Sequence, residues 1–558
     1  MSRPTTGTLT VQDTPRSSIT IIDRTRAALE DEILKEQERI KAYGGDDVHD
    51  PEEYAQQASS SSQSKPETKE DFVTWDGPND PSNPQNWSNT KKWLITLLCA
   101  AITVNVTFAS SAPSSATLRI IQRFGISHEV SYLITSVFLL GYVFGPLIAG
   151  PGSEIFGRRP VLMVSLTSYT LFILGQALAS NIQTLLVTRF FSGFFAVAPL
   201  TVGGGLLADI WPAKGRGPAT SIFSASVFLG PVLGPLVGGF VAESSLSWEW
   251  IFWVMFIFAG ASTVTMILLL PETYGPVLLQ QKARRLRKAD PVANKDLIAE
   301  HEKQDWSLKN TLHRTIYRPF IMLSMEPILV LITIYLSVVY GVLYALFEAF
   351  PVIFVETHGF TLSQNGLIFI GVGIGTTLGA MLNFYFSTKV SAVSDKWRGF
   401  PPAEMRLYGA MTGGPILVIG SFWLGWTGNY PSVHWAAPAV ATIVLGVSIS
   451  LIFMSCLSYL VDTYLMYSAS AFAANTVVRS LVGAAFPLFT VQMYTNLGIN
   501  WASTLVGLVG LLLAPIPFLF YKYGAKIREH SKFAPCLDLK IAKELQEEEQ
   551  ARSKEAQV

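Results

Sequence analysis

Long apolar stretches alternate with short polar ones along most of the chain, from about Trp93 to Tyr521. Twelve of these stretches reach the length of about 20 residues that an α-helix needs to cross a hydrocarbon layer. They fall into two sets of six, which a charged stretch from Glu272 to Pro319 separates. The pattern predicts an all-α membrane protein, with twelve transmembrane helices in two pseudo-symmetric six-helix halves.

Polar residues set the expected domain boundaries. We expect the six-helix halves at residues 91–271 and 320–523, with a cytosolic linker at residues 272–319. Residues 1–90 are rich in Ser, Thr and acidic residues and bury too little apolar area to fold, so they are expected to form a disordered cytosolic tail. Residues 524–558 are expected to form a cytosolic C-terminal tail.

Basic residues predict the orientation, because short cytosolic loops collect lysine and arginine. Alternate loops of this chain are enriched in basic residues, so both termini are expected in the cytosol. The plasma membrane is the expected location, and a vacuolar or other membrane stays open. The enriched positions are Arg158, Arg159, Lys214, Arg216, the run from Lys282 to Lys288, Lys389, Lys396, Arg398 and Arg406.

Composition narrows the function. The 558 residues carry no net charge and 49% are hydrophobic, so no broad cationic surface is available for nucleic acid. The three cysteines and seven histidines form no pattern typical of a metal site or a catalytic centre. We therefore expect no enzyme activity, no metal and no cofactor. The chain is also expected to be a monomer with the lipid bilayer as a partner.

The loop after the second stretch reads GPGSEIFGRRP and combines glycines with acidic and basic residues. Such a turn can be a simple basic anchor at the membrane edge. Because it is expected to lie beside the end of the fourth stretch, we predict a gating charge network instead. Its members are Gly150, Glu154, Gly157, Arg158, Arg159 and Asp209, and Asp462 is the counterpart of Asp209 in the second half.

The fifth stretch contains FLGPVLGPLVGGF, in which small residues recur every four positions. Glycines at this spacing allow close helix contact, and prolines remove backbone donors and kink a helix. Packing alone explains the glycines but not their pairing with prolines. The residues concerned are Gly230, Pro231, Gly234, Pro235, Gly238 and Gly239.

Together with RFFSG in the fourth stretch and SAFAANTVVRS in the eleventh, these motifs resemble the major facilitator superfamily. The resemblance is to its fungal branch of twelve-helix drug:proton antiporters, and it extends from about Trp75 through the last span. WDGPNDPSNPQNWS before the first span and LPETYGPVLLQQKARRLRK after the sixth add to it. The chain departs from the family pattern at Gly152, Ile155 and Glu249.

The resemblance implies a substrate cavity between the two halves. Polar and aromatic residues of the spans are then the candidates for substrate binding or coupling: Asn105, Arg189, Tyr335, Tyr340, Tyr344, Glu348, Asn475 and Arg479. The tyrosines can equally be ordinary packing residues. Arg189 can equally be a structural arginine that backbone carbonyls satisfy.

We therefore expect a secondary transporter that exports drugs, toxins or a secondary metabolite by proton antiport. Proton coupling needs a carboxylate inside the membrane, and Glu348 is the first choice, with Glu326 as an alternative. The remaining functional alternative is a proton-coupled uptake symporter for a small nutrient.

Overall fold

The computed structural model describes residues 72–77, 79–212, 216–292, 294, 297–303, 313–394, 396–397 and 399–555. Most of the tail predicted at residues 1–90 lies outside this described part. Lys214 and Arg398, which contributed to the predicted orientation, also lie outside it.

Twelve helices among the described residues are long and apolar enough to cross a membrane, which confirms the predicted all-α architecture. We label them α1 to α12 in chain order. Their bounds are Asn89–Ser111, His128–Ile155, Arg158–Ala177, Ile182–Ile210, Arg216–Glu243, Trp250–Leu269, Pro327–Phe350, Leu362–Ser394, Tyr408–Gly428, Ala436–Tyr464, Ser468–Leu497 and Ile499–Arg528.

The segment between α6 and α7 contains a short amphipathic helix, Gly275–Ala289, which we call the linker helix. Because successive spans cross in opposite directions, this segment lies on the same side of the bundle as the loop between α2 and α3. We call this side the linker face and the opposite side the far face. α7 begins on the linker face and α8 begins on the far face.

α1 and α5 make a close backbone contact within the first half. A side chain at Gly230 would lie 2.6 Å from the backbone nitrogen of Phe108, and one at Gly234 would lie 2.8 Å from that of Ala112. Gly238 meets the carbonyl of Ala112 in the same way. The glycine spacing therefore serves as a contact face for α1, as small residues do in membrane helices.

The paired prolines of α5 have a specific effect on this contact. Pro235 has no N–H, so the carbonyl of Pro231 one turn earlier loses its helical donor. The hydroxyl of Ser111 on α1 donates to that carbonyl at 3.2 Å, in the space that Gly234 leaves beside it. Ser115 donates to the carbonyl of Pro235 at 3.3 Å. Each glycine makes room for the hydroxyl donor, and Pro235 frees the carbonyl that Ser111 binds.

The same helix also joins the two halves. On its far end, a side chain at Gly239 would lie 2.5 Å from the carbonyl of Leu362 on α8. Likewise, a side chain at Gly366 of α8 would lie 2.6 Å from the carbonyl oxygen of Pro235 on α5. The carboxylate of Glu243 accepts a hydrogen bond from the backbone N–H of Ser363 at 2.9 Å. α5 is therefore held between α1 and α8.

A break at Glu326 and Pro327 precedes the seventh span. A separate helix, Arg318–Met325, ends at Glu326, and Pro327 begins α7. The buried carboxylate of Glu326 accepts hydrogen bonds from Tyr464 at 3.3 Å and from Ser531 at 2.7 Å. Glu326 therefore fixes the C-terminal segment to the start of α7, which weakens the case for it as a coupling residue.

Both terminal segments dock on the linker face. Arg528 is buried at the end of α12 and contacts Glu404 at 2.8 Å and Asp538 at 2.7 Å, so it ties the C-terminal helix Leu537–Glu555 to the bundle. Before α1, Val73 bonds to the carbonyl of Ile298. Two carboxylates that follow it, Asp76 and Asp80, pair with Lys282 of the linker helix. Residues 72–77 and 79–90 thus belong to the described structure, and these contacts attach the segment to the linker helix.

The α1–α5 contact can be tested with one methyl group. We expect Gly230→Ala to reduce transport strongly and to destabilise the protein by about 1–3 kcal/mol, because the new atom overlaps the α1 backbone. The measurements are vesicle transport and the thermal unfolding midpoint. Gly204→Ala is the matched control, since a side chain there meets no atom within 4 Å. Equal behaviour of the two variants would contradict the close contact.

Candidate functional site

A charge pair joins the start of α3 to the end of α4 on the linker face. The guanidinium of Arg158 binds Asp209 at 3.0 Å and donates to the hydroxyl of Ser153 at 2.7 Å. Beneath it lies the ring of Tyr274, 4.6 Å from the guanidinium carbon. Burial raises the pKa of Tyr274 to about 12, so this ring remains uncharged.

Glu272 completes this site, although the sequence analysis singled it out only as part of the LPETYGP motif. Its carboxylate accepts hydrogen bonds from the backbone N–H groups of Arg158 at 2.9 Å and Arg159 at 3.1 Å. It therefore caps the first turn of α3, where a negative charge is favoured. Gly157 has φ of +100° and faces this carboxylate so closely that a side chain there would overlap it.

The other predicted members of the network are placed differently. The guanidinium of Arg159 donates to the carbonyl of Ile267 at 3.2 Å. Glu154 is exposed, and its backbone carbonyl is 2.9 Å from the ring nitrogen Nε2 of His301. A side chain at Gly150 would make an ordinary van der Waals contact with Thr201, so this position has room for one. Glu272 therefore joins the site around the Arg158–Asp209 pair, as a member that the predicted network did not include.

The second half repeats the pair. Arg406, just before α9, binds Asp462 near the end of α10 at 2.6 Å. These positions correspond to Arg158 and Asp209 in the first half, because α9 and α10 follow the same order as α3 and α4. The second pair is more open to solvent, with both side chains 25% exposed against 11% and 15% for the first.

Arg189 is fully buried in α4, and the contacts around it match the structural alternative. Its guanidinium donates to the carbonyls of Ile134 on α2 and Ala109 on α1, each at 2.9 Å. It also lies 4.3 Å from the ring centre of Phe138. In this conformation Arg189 ties three helices of the first half together.

Three further candidates face neighbours within their own half. Asn105 binds Tyr169 of α3 at 2.8 Å and Ser262 of α6 at 3.2 Å. Tyr335 is fully buried beside Gly414 of α9. Asn475 donates to Thr333 of α7 at 3.3 Å. The structure therefore does not place these three at the interface between the halves, where the resemblance implies the cavity.

Two tyrosines of α7 do reach that interface. Tyr340 donates to the hydroxyl oxygen of Tyr344 at 3.4 Å, and Tyr344 donates to Ser110 of α1 at 2.9 Å. The chain of hydroxyls therefore passes from the second half to the first. All three side chains are buried.

Arg479 of α11 lies against the same tyrosines. Its guanidinium carbon is 4.7 Å from the ring centre of Tyr340 and 4.8 Å from that of Phe453 on α10. Phe453 in turn meets Phe228 of α5 edge to face at 5.3 Å. Gly483, one turn beyond Arg479, lets Tyr340 approach α11. We call Ser110, Phe228, Tyr340, Tyr344, Phe453 and Arg479 the interface cluster.

Glu348 lies one helical turn beyond Tyr344 on the same side of α7, because residues four apart share a helix face. The side chain is buried at 6% exposure. Among the residues that the structure describes, none forms a hydrogen bond or ion pair with its carboxylate. Tyr344, on that side of α7, contacts Ser110 of the first half, so Glu348 is placed near the interface between the halves.

A cavity of about 810 Å³ lies elsewhere, between the end of α2 and the linker helix. Its walls include Ile155, Arg284, Arg287, His301 and Glu302. Both arginines pair with Glu302, at 3.6 Å and 2.7 Å. This cavity lies on the linker face outside the interface between the halves, so it is not the substrate site that the resemblance implies.

The arrangement of two six-helix halves with charge pairs in equivalent loops agrees with the sequence comparison. The family model described as Major Facilitator Superfamily matches residues 96–487. This chain belongs to the major facilitator superfamily.

Members of the superfamily with curated names are similar along most of the chain. The ascochitine biosynthesis cluster MFS transporter of Didymella fabae is 42% identical over 473 residues, covering 85% of this chain and 91% of the relative. The MFS-type efflux pump MFS2 of Trichophyton rubrum is 42% identical, covering 84% of this chain and 78% of the pump. The chain is therefore a multi-pass membrane transporter and not an enzyme.

A solved structure supports the fold. The xylose transporter XylE from E. coli superposes with a TM-score of 0.55 at 18% identity, covering 78% of this chain and 98% of that one. At this identity the likeness concerns the major facilitator fold.

The Arg158–Asp209 pair yields a testable difference between the two halves. Asp209→Asn leaves the buried guanidinium of Arg158 without its carboxylate, and we expect it to cost about 2–3 kcal/mol of stability and most of the transport activity. Asp462→Asn breaks a more exposed pair and should cost under about 1 kcal/mol. Membrane localisation, thermal unfolding and vesicle transport are measured for both. Full transport by the Asp209 variant would show that the pair has no gating role.

Proposed function

We propose that this transporter exports small organic molecules, such as drugs, toxins or a secondary metabolite, in exchange for protons. The interface cluster is the observation that carries the proposal, because it joins polar and aromatic side chains of both halves where alternating access needs a site. Export is supported by the relatives, one of which is named an efflux pump and another a transporter of a biosynthesis cluster.

The packing between the halves supports a direction of access. The contacts of α5 with α8 at Gly239, Gly366 and Glu243 lie toward the far face. The contact of Tyr344 with Ser110 also lies beyond the middle of α7. This arrangement fits a state in which substrate reaches the interface cluster from the linker face.

We assign the linker face to the cytosol and the membrane to the plasma membrane. The linker helix carries exposed basic residues, including Arg284, Arg285 and Lys288. Basic residues are retained on the cytosolic side. Substrate then enters from the cytosol and leaves at the far face, as export requires.

Glu348 is the proposed proton carrier. Its carboxylate is buried between the halves with no bonding partner among the described residues, so its local solvation changes when the halves move apart. A buried carboxylate favours its protonated form, and contact with water favours release. Movement of the halves can therefore couple proton release to the change of access.

Uptake symport is the alternative that a shared fold leaves open. A proton antiporter and a proton symporter differ in the direction of substrate flow under an imposed proton gradient. Inside-out vesicles with an acidic interior accumulate the substrate of a proton antiporter, whereas those of a symporter do not accumulate it. Transport of a panel of labelled aromatic acids, amides and cationic dyes in these vesicles decides between them.

The coupling role is tested by Glu348→Gln, which cannot release a proton. We expect accumulation driven by the pH gradient to fall to the level seen without a gradient, while downhill exchange of substrate persists. The measurements are gradient-driven uptake and counterflow in the same vesicles.

Glu356→Gln is the matched control, because Glu356 is an exposed acid at the far end of the same helical segment. We expect it to keep gradient-driven uptake. If the Glu348 variant also keeps it, Glu348 is a structural residue and protons pass through another group.

A further inference from the structure

Two arginines inside the bundle, Arg189 and Arg479, differ in their bonding. Arg189 is fully buried and its guanidinium has carbonyl acceptors on α1 and α2. Arg479 is partly buried, and no residue of the described chain gives it a hydrogen-bond acceptor or an ion-pair partner. Its Nε atom is shielded from solvent and unbonded. The first arginine is a structural tie, whereas the second retains its capacity to bind.

The rings beside Arg479 compensate only part of its charge. Tyr340 and Phe453 place their faces 4.7 Å and 4.8 Å from the guanidinium carbon, which is within the range of cation–π attraction. Aromatic rings accept no strong hydrogen bond from the guanidinium N–H groups. A guanidinium inside a membrane protein is most stable against an anionic oxygen, which it binds with two parallel hydrogen bonds.

The surroundings define what else the ligand must contain. Phe228 and Phe453 present apolar ring surface from α5 and α10, and Tyr340 adds a third ring from α7. The hydroxyls of Tyr340, Tyr344 and Ser110 form a polar edge next to these rings. A flat aromatic compound with one acidic group matches this combination of a cation, ring surface and hydroxyl groups.

We propose that Arg479 binds the anionic group of the substrate, so that the exported compounds are aromatic organic anions such as carboxylates or phenolates. This inference rests on the proposed export function and adds the substrate class to it. Because Arg479 belongs to α11 and its ring neighbours belong to α5, α7 and α10, a bound anion contacts both halves at once. The anion then contributes to holding the halves together during the change of access.

Isosteric pairs test the charge requirement. Inside-out vesicles with an acidic interior are supplied with 2-naphthoate or with its neutral isostere 2-naphthamide, with benzoate and benzamide as a smaller pair and rhodamine 6G as a cationic compound. We expect the wild-type protein to accumulate the acids at least tenfold faster than the amides. Arg479→Gln should lower the acid-to-amide ratio by roughly 10-fold to 100-fold, the range for loss of a charged hydrogen bond.

Two further variants separate binding from folding. Arg479→Lys keeps the positive charge and should retain part of the preference for acids. Arg123→Gln removes an exposed arginine from the far face and should leave the ratio unchanged. Because each ratio is taken within one vesicle preparation, differences in expression cancel.

The outcomes distinguish the two proposals. Equal transport of acids and amides by the wild type, or an unchanged ratio in Arg479→Gln, overturns the assignment of the substrate class. Accumulation of rhodamine 6G without accumulation of either acid also overturns it, while leaving export intact. If the vesicles accumulate none of the five compounds, the proposed export function is contradicted as well.

Discussion

The backbone of α5 approaches those of α1 and α8 so closely that side chains larger than hydrogen do not fit at the crossings. Within lipid, each backbone carbonyl needs a partner from the protein. Here Pro235 frees the carbonyl of Pro231, and Ser111 of α1 satisfies it. The first half thus holds α5 by hydrogen bonds that only close contact permits, and the second half meets the same helix through α8. The geometry of the interface cluster depends on this position of α5, since Phe228 belongs to it.

Two groups of charged residues in the bundle have different roles: one has partners of opposite charge and stabilises the fold, and the other, without such partners, is assigned to transport in the proposals. Arg158, Arg406 and Arg528 each have a carboxylate partner, and all three lie at helix ends on the linker face. Their partners secure loops and the C-terminal helix to the bundle. Arg479 and Glu348 lie between the halves, and the described residues give neither of them a bonding partner. A buried charge without a partner is costly, and this cost is the reason for assigning Arg479 to a ligand and Glu348 to a proton in the proposals above.

The architecture could be read from the sequence because its signal is long and repeated. The twelve apolar stretches and the spacing of Gly230, Gly234 and Gly238 are local patterns, and each corresponds to a helix or a crossing in the structure. The site was harder to predict, because a polar residue in a helix does not reveal which neighbour it faces. Asn105 and Tyr335 turn into their own halves, whereas Tyr340 turns to the interface. Glu272 was missed because its partners are backbone N–H groups across a loop, which leave no pattern in side-chain spacing.

In the proposed transport cycle the two halves move against each other about the interface cluster, and a distance across the far face measures this movement. Ser245 follows α5 and Thr361 precedes α8, and both are exposed. Spin labels at cysteines introduced in their places, with Cys536 replaced by serine, report this distance by pulsed electron paramagnetic resonance in lipid. We expect one short distance between the two labels in the packed state. A second population with a longer distance should appear when a transported compound and a proton gradient are supplied. A single unchanged distance under conditions in which the same protein transports would contradict the proposed movement.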